Sequence, residues 1–306
     1  MAAATVRSAS PALPPDDVLT RSSGRLRWRT GFDSAIGWLL PLLFVVALYP
    51  ILELVYYISV QAVPTLSWTV LTSTNPVAVD ALGVPIITTF EIMALATAIA
   101  SGLGALGGIA TAEFLPDQAA EVVRASANML AGAPSVVVGY FGYIAFVLYF
   151  GWGLSYIAGV VTLSFFMLPY VFRTVDLAFT SIPRPIREAA LGSGAGPSQY
   201  VLRVGTPIAF PQILNGIFLA MAIGVGETAP LVLTTTHGVL VPQSIYSPVS
   251  FLTALIWSDF DAGKVSGLQV VAFQCAFLLM IVVIALNIVV RVISARYRKR
   301  LEGLYQ

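Results

Sequence analysis

The sequence predicts an all-α, polytopic membrane protein with six transmembrane helices, and three observations carry that prediction. Hydrophobic residues make up 58% of the 306-residue chain and charged residues only 10%, against roughly a quarter charged in ordinary soluble domains. Mean hydropathy is accordingly high, at +0.87. Six apolar segments are each long enough for a helix to cross a hydrocarbon core of about 30 Å. The basic residues, finally, are distributed unevenly over the connections between those segments, as expected of a membrane topology.

The apolar segments cover residues 34–60, 84–115, 129–150, 154–172, 208–236 and 268–290. Pro41, Pro50, Pro134, Pro169 and Pro230 fall within or beside them. Membrane helices tolerate proline because neighbouring helices and polar side chains can satisfy the freed carbonyls. Residues 1–33, rich in Ala, Ser, Pro and Arg, lack the apolar core of a signal peptide and read as a disordered cytoplasmic tail. The membrane-spanning domain is then 34–290, and 291–306 is a basic cytoplasmic tail.

Fifteen of the sixteen basic residues lie before segment one, between two and three, between four and five, or after six, and only Lys264 lies on the other side. The positive-inside rule therefore puts both termini and the 173–207 loop in the cytoplasm. The chain is expected in the cell (inner) membrane as a multi-pass protein.

Little in the chain suggests metal or cofactor chemistry. Cys275 lies alone in an apolar run and reads as a small core filler. His237, the single histidine, reads as a polar residue at a segment boundary. Gly102-Leu103-Gly104-Ala105-Leu106-Gly107 fits the dinucleotide pattern GxGxxG but has no preceding strand. Close helix packing through Gly104 and Gly108 is the expectation instead. No GxxxxGK[ST] loop occurs, so any ATP that drives this protein binds a partner.

The loop 182–207, IPRPIREAALGSGAGPSQYVLRVGTP, carries the functional information. Pro185 suits the first turn of a short helix through Leu191. Gly192, Gly194, Gly196 and Pro197 break it, and Ser198 is placed to cap a second helix. On physical grounds this is a helix–turn–helix on the cytoplasmic face, which could also be a mere interfacial element. Glu188-Ala189-Ala190, Gly194 and Val204-Gly205-Thr206-Pro207 resemble the EAA motif of permeases in bacterial ABC importers, with Val and Thr replacing the usual Ile and Leu. The resemblance implies the type I ABC importer (MetI-like) permease fold. It also implies that Glu188, Ala189, Ala190, Gly194 and Pro207 lie in a coupling helix that docks on an ATPase.

In segment five, Gly226-Glu227-Thr228-Ala229-Pro230 resembles the PstA-type permeases of phosphate importers, as does Pro169-Tyr170-Val171-Phe172-Arg173. An outer loop with Trp257-Ser258-Asp259-Phe260 and a basic C-terminus agree with that family. Gly216, Ala220, Gly224 and Glu227 share a helical stripe, which must face another helix or a narrow path because charge facing lipid is costly. Pro230 cannot donate to the Gly226 carbonyl, so the helix is weakened beside Glu227. Glu227, Thr228, Pro230 and Arg173 are the candidate path or gating residues. A carboxylate there that accepts a hydrogen bond from a protonated phosphate would disfavour sulfate, although Glu227 could equally bond locally to Thr228 or to a helix of the partner permease. Many relatives carry a basic residue where this chain has Ile223, so that residue's role does not transfer. Glu53 and Glu91, also within apolar segments, could snorkel or face the bundle.

The resemblance implies partners: an ATP-binding subunit dimer, a second PstC-type permease, an extracytoplasmic phosphate-binding protein, phosphate and the bilayer, with no nucleic acid. This subunit is expected not to be an enzyme. The competing readings are the same machine carrying sulfate, molybdate or a polyamine, and a stand-alone secondary transporter or channel. The latter leaves the EAA-like loop unused.

Overall fold

The structure, a computed structural model, describes residues 16–74, 81–235, 244–266 and 268–302, with backbone alone at 16–36, 261–266, 290 and 293–302. His237 lies outside the described residues. Helix α1 (Asp16–Ala62) contains Pro41 and Pro50 and forms, up to Tyr57, a unit of its own. It starts inside the segment expected to be a tail. No proline interrupts the chain between Pro15 and Pro41, so nothing stops the apolar helix from extending backwards.

The second unit begins at Ile58. After a 3₁₀ turn at Val63–Thr65, α2 (Trp68–Thr72) starts at Ser67, whose hydroxyl accepts from the Val70 N–H at 3.3 Å. Helix α3 (Gly83–Glu113) is followed by α4 (Asp117–Ala131) and α5 (Ser135–Gly142), which continues as π-helix over Tyr143–Tyr149. Next come α6 (Tyr156–Thr180), α7 (Arg184–Gly192) and α8 (Pro197–Tyr200), the last extended by π-helix at Val201–Gly205. Helices α9 (Thr206–Val225), α10 (Ala229–Thr234), α11 (Leu252–Ser266) and α12 (Gln269–Glu302) complete the described chain.

Five helical stretches are long and apolar enough to span a membrane, and a sixth is completed if α4 and α5 count as one span bent by 100°. The expected third segment, 129–150, is not one continuous helix. It breaks at Gly132-Ala133-Pro134, where Pro134 can donate no backbone bond to a continuing α4 and takes the extended geometry of a helix start. The expected fifth segment, 208–236, is broken too, at Gly226–Thr228, between α9 and α10. The expected outer loop around Trp257 is helical: α11 buries Leu252, Ala254 and Leu255, too short a run to register as a span. Helix α12 likewise runs on to Glu302, through most of the expected tail.

Helix α6 is the centre of the unit. Its Leu163, Met167, Val171 and Val175 are at most 1% exposed, with α3 against one side and α9 against another. Lipid tails are as apolar as leucine, so helices associate through close van der Waals contact rather than exclusion from water. Glycines make the contact close. A Cβ on Gly108 would stand 2.8 Å from the Phe172 carbonyl oxygen and 2.9 Å from the Val175 Cβ, and one on Gly104 2.9 Å from the Val171 Cβ. The GxGxxG-like string is thus a packing surface. On the other side, Gly216 and Gly224 face Thr174 and Met167 in the same manner. The small-residue stripe of segment five therefore faces a helix.

A second cluster joins α2, α3, α11 and α12 through Val70, Leu82, Leu252, Leu255, Val271 and Cys275. Cys275 is fully buried, as a small core filler would be. Nearby, the buried Gln274 side-chain amide donates to Thr65 O and Oγ1, both at 3.1 Å. Together these polar bonds hold the start of the unit to α12.

Candidate functional site

Two places combine exposure or polarity with irregular backbone: the α7–α8 loop, and the level along α6 where the breaks of α4–α5 and α9–α10 meet.

Helix α7 opens with Pro185 in its first turn, as the sequence predicts, and ends in a Schellman motif. The Ala195 N–H reaches back to the Ala190 carbonyl at 3.3 Å and the Gly194 N–H to Leu191 at 3.0 Å. This closure needs a left-handed residue, and Gly194 supplies it with φ +91°. The glycine of the motif is therefore what lets the helix stop and turn. Helix α8 begins one residue before the predicted Ser198 cap. Gly196 is its N-cap, Pro197 takes the first position, and the Gln199 side chain accepts from the Gly196 N–H at 3.3 Å.

The short helix has two faces. Ile186 and Ala190, one turn apart, pack against the core, whereas Glu188 and Ala189 are exposed, as is Gly194. Ala190, expected among docking residues, thus serves the inner face. Pro207 is exposed in the first turn of α9.

An ion pair fixes α7 to the end of α3, and sequence reasoning missed it. Arg187 Nη2 lies 2.9 Å from Glu113 Oε2, and the guanidinium sits over the Tyr200 ring, 5.9 Å from its centroid. A second pair joins α4 to α6, where Arg124 grips Asp176 with two bonds of 2.8 Å each. The signal for both was unlike charges at one end of the bundle, but nothing in the sequence tells which pair.

At the second place, α9 ends with the Gly226 N–H bonded to Ile223 O and the Glu227 N–H to Gly224 O, both at 3.2 Å. Pro230 stands in the first turn of α10 and is buried, so the break falls where the missing proline N–H requires it. Thr228 is the N-cap position of α10 without a side-chain capping bond. The Glu227 carbonyl freed by the break accepts from Thr253 Oγ1 of α11 at 3.3 Å.

The half-buried Glu227 carboxylate faces Ser135, the first residue of α5. Below it α5 and α10 run together: a Cβ on Gly139 would lie 2.9 Å from Ala229 O and from Pro230 Cα. Gly224 meets Met167, so the α9–α10 break lies near the middle of α6, and Ser135 beside Glu227 brings the α4–α5 break to the same level. Ser135 was not singled out in the sequence. It follows Pro134 and becomes notable only once the bend brings it to Glu227.

The remaining candidates disperse. Arg173 is exposed on α6, which continues to Thr180 instead of ending at Arg173 as expected. Glu53 and Glu91 are exposed on this chain. Ile223 is half-buried among core residues.

Five apolar helices long enough to span, a sixth crossing if the bent α4–α5 pair is counted, and a surface helix ahead of α9 make up the fold of an importer permease. A solved inward-facing structure of the MetNI methionine ABC transporter matches 70% of this chain and 94% of its own at a TM-score of 0.58 and 19% identity. Residues 104–299 match the family model described as binding-protein-dependent transport system inner membrane component, and the chain belongs to that family. Among its relatives is the phosphate transport system permease protein PstA 2 of Mycobacterium tuberculosis, 32% identical over 83% of this chain and 85% of that protein. The phosphate transport system permease protein PstA of Haemophilus influenzae is 27% identical over 89% of this chain and 97% of its own length.

Proposed function

We propose that this chain is the phosphate-translocating permease subunit of an ATP-driven importer. Relatives named as phosphate transport permeases, matched over most of their length, support the cargo. The observation that carries the coupling is α7 itself: a short helix closed by Gly194, with Glu188 and Ala189 turned outward for another protein to meet.

In this reading an ATP-binding subunit dimer docks on that face, a second, PstC-type permease completes the pathway, and an external phosphate-binding protein delivers phosphate. The α7–α8 loop and both chain ends then face the cytoplasm, consistent with the clustering of basic residues. ATP is hydrolysed by the partner, and this chain moves phosphate without altering it.

The two mid-span breaks are the natural gate. Broken helices with polar groups near the bilayer centre are where transporters bind and release cargo. Glu227, near the Ser135 hydroxyl and beside a proline-weakened backbone, can change partners as α9 and α10 re-angle. Arg173 serves as a membrane-surface anchor.

The test is reconstitution with the three partners in vesicles, measuring uptake of labelled phosphate against sulfate. Phosphate-selective, ATP-dependent uptake that Glu188→Lys abolishes is the expected result. Stimulated ATP hydrolysis with sulfate moving as well as phosphate would reject the cargo and leave the machine.

A further inference from the structure

We infer that Arg187 and Glu113 form a pin that makes α7 and α3 move as one body, so that Arg187 is the positioning residue through which force on the surface helix reaches the membrane core. The inference rests on the proposed role of α7 as the docking helix.

Six observations support it. Arg187 follows Ile186 and precedes Glu188, so one turn of α7 presents a core-facing, a pairing and an outward side chain in succession. Its guanidinium touches Glu113, the last residue of α3, at 2.9 Å, and reaches the Glu113 carbonyl at 3.5 Å. The Glu113 side chain is only 5% exposed while that of Arg187 is 44% exposed. A nearly buried carboxylate needs its cation, so separating α7 from α3 would strand a charge. The cation also rests on Tyr200, itself 2% exposed, which ties the pin to α8. From Glu113, α3 leads directly to Gly108 and Gly104 and so onto α6. A push on Glu188 therefore has a short route of close contacts into the central helix, ending near the breaks. The pair Arg124–Asp176 braces α4 against the same end of α6.

The test uses the full complex in vesicles. Uptake of inorganic phosphate per ATP hydrolysed is measured for wild type, Arg187→Ala, Arg187→Lys, Glu113→Gln, and the exchange Glu113→Arg with Arg187→Glu. In parallel, spin labels at Arg184→Cys on α7 and Leu115→Cys just beyond α3, both exposed sites, report their separation with and without trapped nucleotide. The buried Cys275 stays unlabelled.

The pin predicts a separation that stays constant across nucleotide states in wild type and broadens in Arg187→Ala. It also predicts about a tenfold drop in phosphate moved per ATP for Arg187→Ala and Glu113→Gln, within the usual range of coupling between sites. ATP hydrolysis and co-purification of the ATPase should persist, and Arg187→Lys or the exchanged pair should restore most of the ratio. A wild-type separation that changes with nucleotide would overturn the proposal. So would an unchanged ratio, or parallel loss of ATPase binding and hydrolysis in Arg187→Ala, which would make Arg187 a docking contact. If the wild-type complex moves no phosphate, the cargo assignment fails while the label distances still decide the pin.

Discussion

The two ends of the route from α7 to the mid-span breaks treat carboxylates differently. At the loop end Glu113 and Asp176 each have an arginine, with contacts of 2.9 and 2.8 Å. At the breaks Glu227 forms no ion pair among the described residues and has the Ser135 hydroxyl as its polar neighbour. A paired carboxylate locks two elements together, because parting them leaves both charges unsatisfied. One with only a hydroxyl beside it can change its surroundings at smaller cost. In the proposed function the loop end transmits movement and the breaks undergo it.

This contrast is sharpest in stability. Asp176→Ala leaves Arg124 unpaired, and we expect a loss of about 2 kcal/mol, the scale of a charged hydrogen bond. Detergent-solubilised protein should melt several degrees lower, and a double-mutant cycle with Arg124→Ala should recover part of the loss. Glu227→Gln should do the reverse: melting nearly unchanged, phosphate uptake down about tenfold, or about 1.4 kcal/mol. Should melting fall as far as in Asp176→Ala, Glu227 is a structural strut and the contrast collapses.

Gly194→Ala comes next, at about 1 kcal/mol for placing a side chain in left-handed backbone. Faster amide exchange confined to α7 would register it, with the spans unaffected. Ser135→Ala is the smallest, about 0.5 kcal/mol for a neutral hydroxyl partner. It should lower uptake modestly and leave an additional Glu227→Gln with a reduced effect. Independent, additive losses would show that the two side chains do not act on each other.

Much of this was legible in the chain. Hydropathy located the crossings, Gly104 and Gly108 announced a close helix contact without naming its partner, and the glycines after Leu191 announced the end of α7. Pro230 marked the α9–α10 break because a missing N–H is a local fact. The bend at Pro134 was not read, although the proline was visible, because an apolar window runs straight across a change of direction. Arg187–Glu113 was hidden for another reason. Its members are 74 residues apart, and several basic residues were available to either carboxylate. Helix α11 escaped because it is shorter than a span and buries its apolar side on a neighbour rather than in lipid.

The bend between α4 and α5 has a consequence for the surrounding lipid. Beyond it stand eight α-helical and seven π-helical residues, Ser135–Tyr149, which at about 1.5 Å each reach at most about 22 Å. A bilayer's hydrocarbon layer is about 30 Å thick. Unless α4 inclines to make up the difference, the lipid around this crossing must thin to meet it. Vesicles of shorter-chain lipids should therefore support faster transport than thick ones, making the membrane's own thickness a setting of the importer.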